Sequence, residues 1–177
     1  MADRMSAYIE IGGELPEFKL SRLAGPVARQ GGSQWGEYYT GDQSQVVADL
    51  RTANSQVRSF ILYDEEAPWG QFDEVESVCR GLDLTYRRHC CAKYEYDAVW
   101  HWWQPDMEKP ACCLASQEGS ALIEVDELRQ QLAAASLEAL HLTSLDVAIE
   151  SLVADMENWL ALRTPSEIPP LEIIKDQ

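Results

Sequence analysis

The side chains best suited to metal or nucleophilic chemistry crowd into one stretch: Cys79, His89, Cys90, Cys91, His101, Cys112 and Cys113. Strand-like segments over Leu84–Cys91 and Val99–Gln104 flank Lys93–Asp97 and predict a long hairpin. A hairpin symmetric about Glu95 pairs Cys91 with Val99, His89 with His101, and Arg87 with Trp103. Period-two alternation then sets His89, Cys91 and His101 on one face. Two imidazoles and a thiolate are three of the four ligands of a zinc site, which Cys112 or Cys113 would complete. No CxxC or HxxxH spacing accompanies them, and a slip of one residue in register divides the set. The plainer alternative is that strand cysteines act as small buried hydrophobes beside ordinary polar histidines.

The same thiols could serve as nucleophiles, with Asp97 or Asp106 orienting an imidazole. No GxSxG turn is present, and no cysteine opens a helix that would lower its pKa. Gly12-Gly13 and Gly31-Gly32 lack the spacing of a phosphate-binding loop. No cofactor is expected. A small metal- or thiol-dependent enzyme built on His89, Cys91 and His101 is the alternative reading of this chain, not the leading one.

The leading reading comes from charge. Thirty acidic residues stand against fourteen basic ones, a formal net charge of -16. Residues 1–93 hold fourteen acidic and ten basic residues, whereas residues 94–177 hold sixteen and four. Three quarters of the excess therefore sits in the second half. Direct binding to nucleic acid or to an anionic membrane needs the opposite sign and is excluded. Acidic pairs such as Asp64-Glu65-Glu66 and Asp73-Glu74 fall at expected turns and helix starts, where they complement the helix dipole. In the last helix, Asp146, Glu150 and Glu157 recur at i, i+4 and i+11, opposite a stripe of Leu145, Ile149, Leu152, Val153, Met156, Trp159 and Leu160. Together with Glu124, Asp126 and Glu127 they are the expected contacts for a protein partner with a basic surface, such as a nuclease. The plain reading of the same residues is a solvated face that aids solubility.

Trp100, Trp102 and Trp103 add an aromatic feature. Alternation places Trp100 and Trp102 together, either beneath the final helices or as an apolar anchor for the partner. Base stacking would need a basic groove beside them, and the neighbourhood is acidic. In size and charge the chain resembles the small acidic inhibitors that phages and plasmids make against host nucleases, and toxin-neutralising immunity proteins. That resemblance covers the whole chain without a shared motif, and it implies a non-enzymatic protein that inhibits or masks a basic partner. A structural subunit or homodimer is a third expectation.

The elements that must position these residues follow from patterning. Tyr8–Ile11 and Val57–Tyr63 read as strands, the latter followed by an acidic turn over Asp64–Pro68. Trp35–Tyr39 and segments near Cys112–Leu114 and Ala121–Val125 are weaker strands. Pro16 would open a helix that Gly25-Pro26 ends or kinks. Asp42 or Ser44 caps a second helix ending near Asn54. A third carries Phe72, Val75, Glu76 and Val78-Cys79 and closes at a left-handed Gly81. Helical periodicity dominates after Asp126, with Thr143 or Ser144 capping the last helix and Pro165 stopping it. The expected class is α+β: a single domain over residues 1–164 with a mixed sheet, a long hairpin and two C-terminal helices, then an extended proline-containing tail over 165–177. With no apolar run after a basic patch near Met1, no stretch of eighteen apolar residues and an odd cysteine count, a cytoplasmic location with reduced thiols and no membrane contact is expected.

Overall fold

A computed structural model describes residues 3–34, 38–139 and 145–175, the side chains of 137–146 excepted. Its organising element is a long first strand, β1 (Arg4–Pro16), in which Met5, Ala7, Ile9 and Ile11 point to one face and are buried. Around it stand β2 (Phe60–Pro68), β3 (Thr85–Cys90), β4 (Ala98–Trp103) and β5 (Ala111–Ala115), in the order β2-β1-β3-β4-β5, all antiparallel. A sixth strand, β6 (Leu171–Ile174), runs parallel to the end of β1, from Gly13 to Pro16, so the sheet is mixed. The class is α+β, as the patterning predicts.

Three helices, α1 (Leu20–Gln30), α2 (Gln43–Ser55) and α3 (Asp73–Arg80), supply the core that packs with the Ile9/Ile11 face of the sheet. Asp42 caps α2, its carboxylate accepting from the Ser44 amide at 2.8 Å. Gly25-Pro26 does not end α1 but lies inside it. Leu23, Ala24, Val27 and Ala28 are buried around that dipeptide, and their packing outweighs the roughly 3 kcal/mol that an internal proline costs. The expected acidic turn at Asp64–Pro68 is likewise strand. Asp64 turns inward and accepts from Gln30 Nε2 and from the Glu66 amide, each at 2.9 Å, which lets β2 continue through the run. Val57, expected to begin that strand, instead has φ of 51° in a turn, and the left-handed residue after α3 is Asp83 (φ 57°) rather than Gly81. Tyr38 and Ala121 form only isolated bridges, to Ser33 and Ala115. Residues 35–37 and the Thr143/Ser144 cap fall outside the described residues.

The C-terminal segment is no free tail. Leu171 is fully buried, its amide donates to the Arg58 carbonyl at 3.1 Å, and the Gly13 amide donates to the Pro170 carbonyl at 3.1 Å. The Ile173 amide donates to Asn54 Oδ1 at 2.9 Å, tying the segment to the end of α2. Gly12 permits this approach, because a Cβ there would lie 1.8 Å from the Pro169 oxygen.

Between β5 and β6 the chain makes α4 (Val125–Ala139) and α5 (Leu145–Ala161). Arg163 Nε meets Glu127 Oε1 at 2.8 Å, so the end of α5 returns to the start of α4 and the two helices are antiparallel. They pack mainly on each other and leave the sheet faces to other parts of the chain.

Candidate functional site

The hairpin register decides the fate of the His/Cys cluster. β3 and β4 pair Cys90 with Val99, His89 with Trp100, and Arg88 with His101, one residue from symmetry about Glu95. Tyr94 takes φ of 55° in a tight turn that closes between Lys93 and Tyr96. Since strand side chains alternate, that single slip sends His89 to one face and His101 to the other. The set His89, Cys91 and His101 therefore does not converge, and among the described residues no group of three or more His, Cys, Asp or Glu is placed to hold a metal ion.

His89 sits in an aromatic nest, its ring 4.8 Å from Trp100 and 5.6 Å from Tyr8. Burial holds its imidazole below the usual pKa, with the Ser116 backbone pulling weakly the other way, and its Nε2 is buried with no hydrogen-bond partner. Nδ1 lies 4.0 Å from Cys91 Sγ, a loose contact between neighbours on one strand face. A thiol nucleophile would need an activated thiolate and a third group orienting the base. Of the five cysteines only Cys112 is exposed, while Cys79, Cys90 and Cys113 have their thiols pushed up by burial. Titration of the native protein with a thiol reagent should accordingly modify Cys112 first and Cys79 only in denaturant. Rapid labelling of Cys79 would mean that α3 opens readily.

The opposite face carries the densest polar network. Arg88 and Glu76 form a buried ion pair, Nε to Oε1 at 2.6 Å, with side chains 5% and 11% exposed. Arg88 Nη1 also donates to the Gly70 carbonyl at 2.6 Å, and the Tyr86 hydroxyl bridges Arg80 and Glu76 at 2.8 and 3.4 Å. His101 stands beside Arg88; burial first and the Arg88 cation second lower its pKa, against a smaller opposing effect from Glu76. Trp69, at φ 55°, and Tyr96 meet edge to face at 6.0 Å across a shallow pocket over this network. Charge counts along the chain missed this pair because Glu76 and Arg88 are twelve residues apart on different elements. The one available signal was a glutamate on the apolar side of α3, within the Phe72/Val75/Cys79 periodicity.

The tryptophans are not a surface anchor. Trp100 is 5% and Trp102 4% exposed, enclosed with Ala98, Ala115, Tyr8 and Met107. The Trp100 Nε1 donates to the Gly119 carbonyl at 2.8 Å, and the Arg87 guanidinium lies 5.5 Å from its ring centroid. Arg87, expected opposite Trp103, stands opposite Trp102. The loop after β5 supplies this Gly119 cover, so neither the final helices nor a partner is required.

The expected acidic contacts divide into two groups. Glu124, Asp126 and Glu127 are exposed at the start of α4, where Asp126 meets Arg129 at 3.2 Å and Glu127 meets Arg163. Two of these three charges are thus already balanced within the chain. Glu150 and Glu157 are exposed along α5 and have no ion-pair partner among the described residues. They lie seven residues apart, a rise of about 10.5 Å. Asp146 stands one turn before Glu150, and its side chain lies outside the described residues. The apolar stripe of α5 is also divided: Trp159 is buried, Leu152 and Met156 are half-buried, and Ile149, Val153 and Leu160 are exposed. Glu150 and Glu157 therefore flank exposed apolar side chains instead of opposing a buried stripe.

These features define an α+β protein with an antiparallel helical hairpin set beside its sheet. Comparison with known protein families, curated proteins and solved structures finds no match. Among the described residues, no helix is long and apolar enough to cross a membrane.

Proposed function

We propose that this chain is a non-enzymatic binding protein whose acidic C-terminal half occupies a basic, nucleic-acid-binding surface of another protein, inhibiting or masking it in the manner of counter-defence and immunity proteins. The observation that carries this reading is the exposed pair Glu150 and Glu157, which no cation among the described residues neutralises. A partner bearing lysine or arginine supplies the missing counter-charges. The excess of negative charge across residues 94–177 steers that partner in from a distance and disfavours acidic competitors. His89 and His101 lie on opposite faces of the sheet, which favours this reading over one built on the His/Cys cluster.

The test is affinity capture from the host extract with the wild-type chain and with the double variant Glu150→Lys/Glu157→Lys. The wild type should retain a basic nucleic-acid-binding protein, identified by mass spectrometry, at low salt. Raising ionic strength shortens the reach of these charges and should release it. The double variant should bind about tenfold or more weakly, equivalent to roughly 1.4 kcal/mol. Capture that is indifferent to both salt and charge reversal would refute the proposal.

A further inference from the structure

The hairpin of α4 and α5 says more about the partner than its charge. On α5, Ile149, Val153, Met156 and Leu160 succeed one another at intervals of four, three and four residues, the spacing of a coiled-coil seam. Ile149 is 51% and Val153 49% exposed. On α4, Val125, Leu128 and Leu132 repeat at three and four residues and are exposed as well, Val125 at 61%.

Whether these two stripes form one surface follows from helical geometry. At about 100° per residue, Ile149, Val153 and Leu160 fall within about 40° of one another, and Val125, Leu128 and Leu132 within about 60°. The line of contact between the helices runs through buried Ala135 on α4 and buried Trp159 on α5. From that line, each stripe is reached by turning in the direction of increasing residue angle. For antiparallel helices, the same sense of turn leads to the same side of the pair. The opposite side is accounted for by a groove that Gln131, Ala134, Asp155 and Asn158 help to line. The two stripes therefore share one face, an apolar channel open along the hairpin.

Glu150 and Glu157 border this channel on its α5 side. Each directly follows a seam residue, Ile149 or Met156, at the flanking position whose charge sets partner choice in helix packing. A second copy of the chain would bring sixteen acidic against four basic residues in the same half, and so like charge to the seam.

We infer that the channel receives an amphipathic helix from the partner, with apolar residues at heptad spacing and lysine or arginine on the flank that meets Glu150 and Glu157. This rests on the basic-partner reading and specifies the form in which the partner docks. The added helix completes a three-helix bundle with α4 and α5, covering side chains that the chain leaves in water.

The experiment uses the full-length chain and two synthetic 21-residue helical peptides, both with leucine at the seam positions, one flanked by lysine and the other by glutamate. Fluorescence anisotropy should show saturable, salt-sensitive binding of the lysine peptide and at least tenfold weaker binding of the glutamate peptide. Val153→Asp, at a site already in water, should leave the circular dichroism melt unchanged and reduce lysine-peptide binding tenfold or more. Ile149→Asp should do the same. Equal affinity for both peptides, or none for either, overturns the inference. So does sedimentation showing a dimer that Val153→Asp dissociates, which would make the occupant a second copy. If the basic partner captured from extract is retained by Val153→Asp but lost on charge reversal, the docked-helix inference fails while the basic-partner reading stands. Loss of charge dependence fails the reading itself.

Discussion

Replacing Glu76 with alanine should lower stability by about 3–5 kcal/mol, because it leaves the buried Arg88 guanidinium without its counter-charge. The Gly70 carbonyl would still accept from Nη1, but a neutral dipole does not offset a full charge removed from water. The bridge from Tyr86 would lose its acceptor too, leaving Arg80 with a hydroxyl no longer held on its far side. At roughly 2–4 °C per kcal/mol for a chain of this size, the melting temperature should fall by on the order of 10 °C. Arg88→Met should be costly for the converse reason, since it strands a buried carboxylate. The double variant Glu76→Leu/Arg88→Met removes both charges and should recover most of either loss. A double-mutant cycle by urea unfolding measures this. Strict additivity of the two single effects would show that the pair is not coupled as its 2.6 Å geometry implies.

The second large effect concerns β6. Leu171→Ala should cost about 2–5 kcal/mol, the range for deleting a fully buried leucine side chain. Gly12→Ala attacks the same junction from the other side. The new Cβ would meet backbone, the Pro169 oxygen, so no change of rotamer relieves it and β6 must move off β1. Removing residues 165–177 altogether opens the core beneath β1 and strips the Ile173–Asn54 and Leu171–Arg58 hydrogen bonds. The truncated chain should lose its cooperative unfolding transition. An unaltered urea midpoint after truncation would show that β6 contributes little to the domain.

Much of this architecture was readable in the residues themselves. The β-rich run Tyr8–Ile11 marks the middle of β1, and Asp42 or Ser44 marks the start of α2, because both are local signals with a short-range cause, whereas the full extent of β1 from Arg4 to Pro16 was not read. What could not be read was set by non-local choices. The turn after Lys93 closes on two residues instead of three, and period-two geometry turns that small difference into the separation of His89 from His101. Pro26 survives within α1 because of four buried neighbours, not because of anything in its own dipeptide. Leu171-Glu-Ile-Ile174 is a short strand behind two prolines, and only its pairing with β1 distinguishes it from an extended tail. On the acidic surface, the charge of α5 was evident, but its position beside an exposed apolar stripe depended on which side of α5 meets α4.

The parallel pairing of β6 with β1 also has a consequence for synthesis. Residues 13–16 are synthesised more than 150 residues before their partners, 171–174. The nascent chain can form the antiparallel β2-β1-β3-β4-β5 sheet and the helical hairpin beforehand, but the Gly13–Pro16 end of β1 waits with its edge unpaired and the Leu171 site empty. Closure of so long a loop is slow, and an open strand edge is a template for association with other chains. Folding during translation should therefore remain incomplete until β6 emerges, with a chaperone-sensitive interval that ends when Leu171 docks.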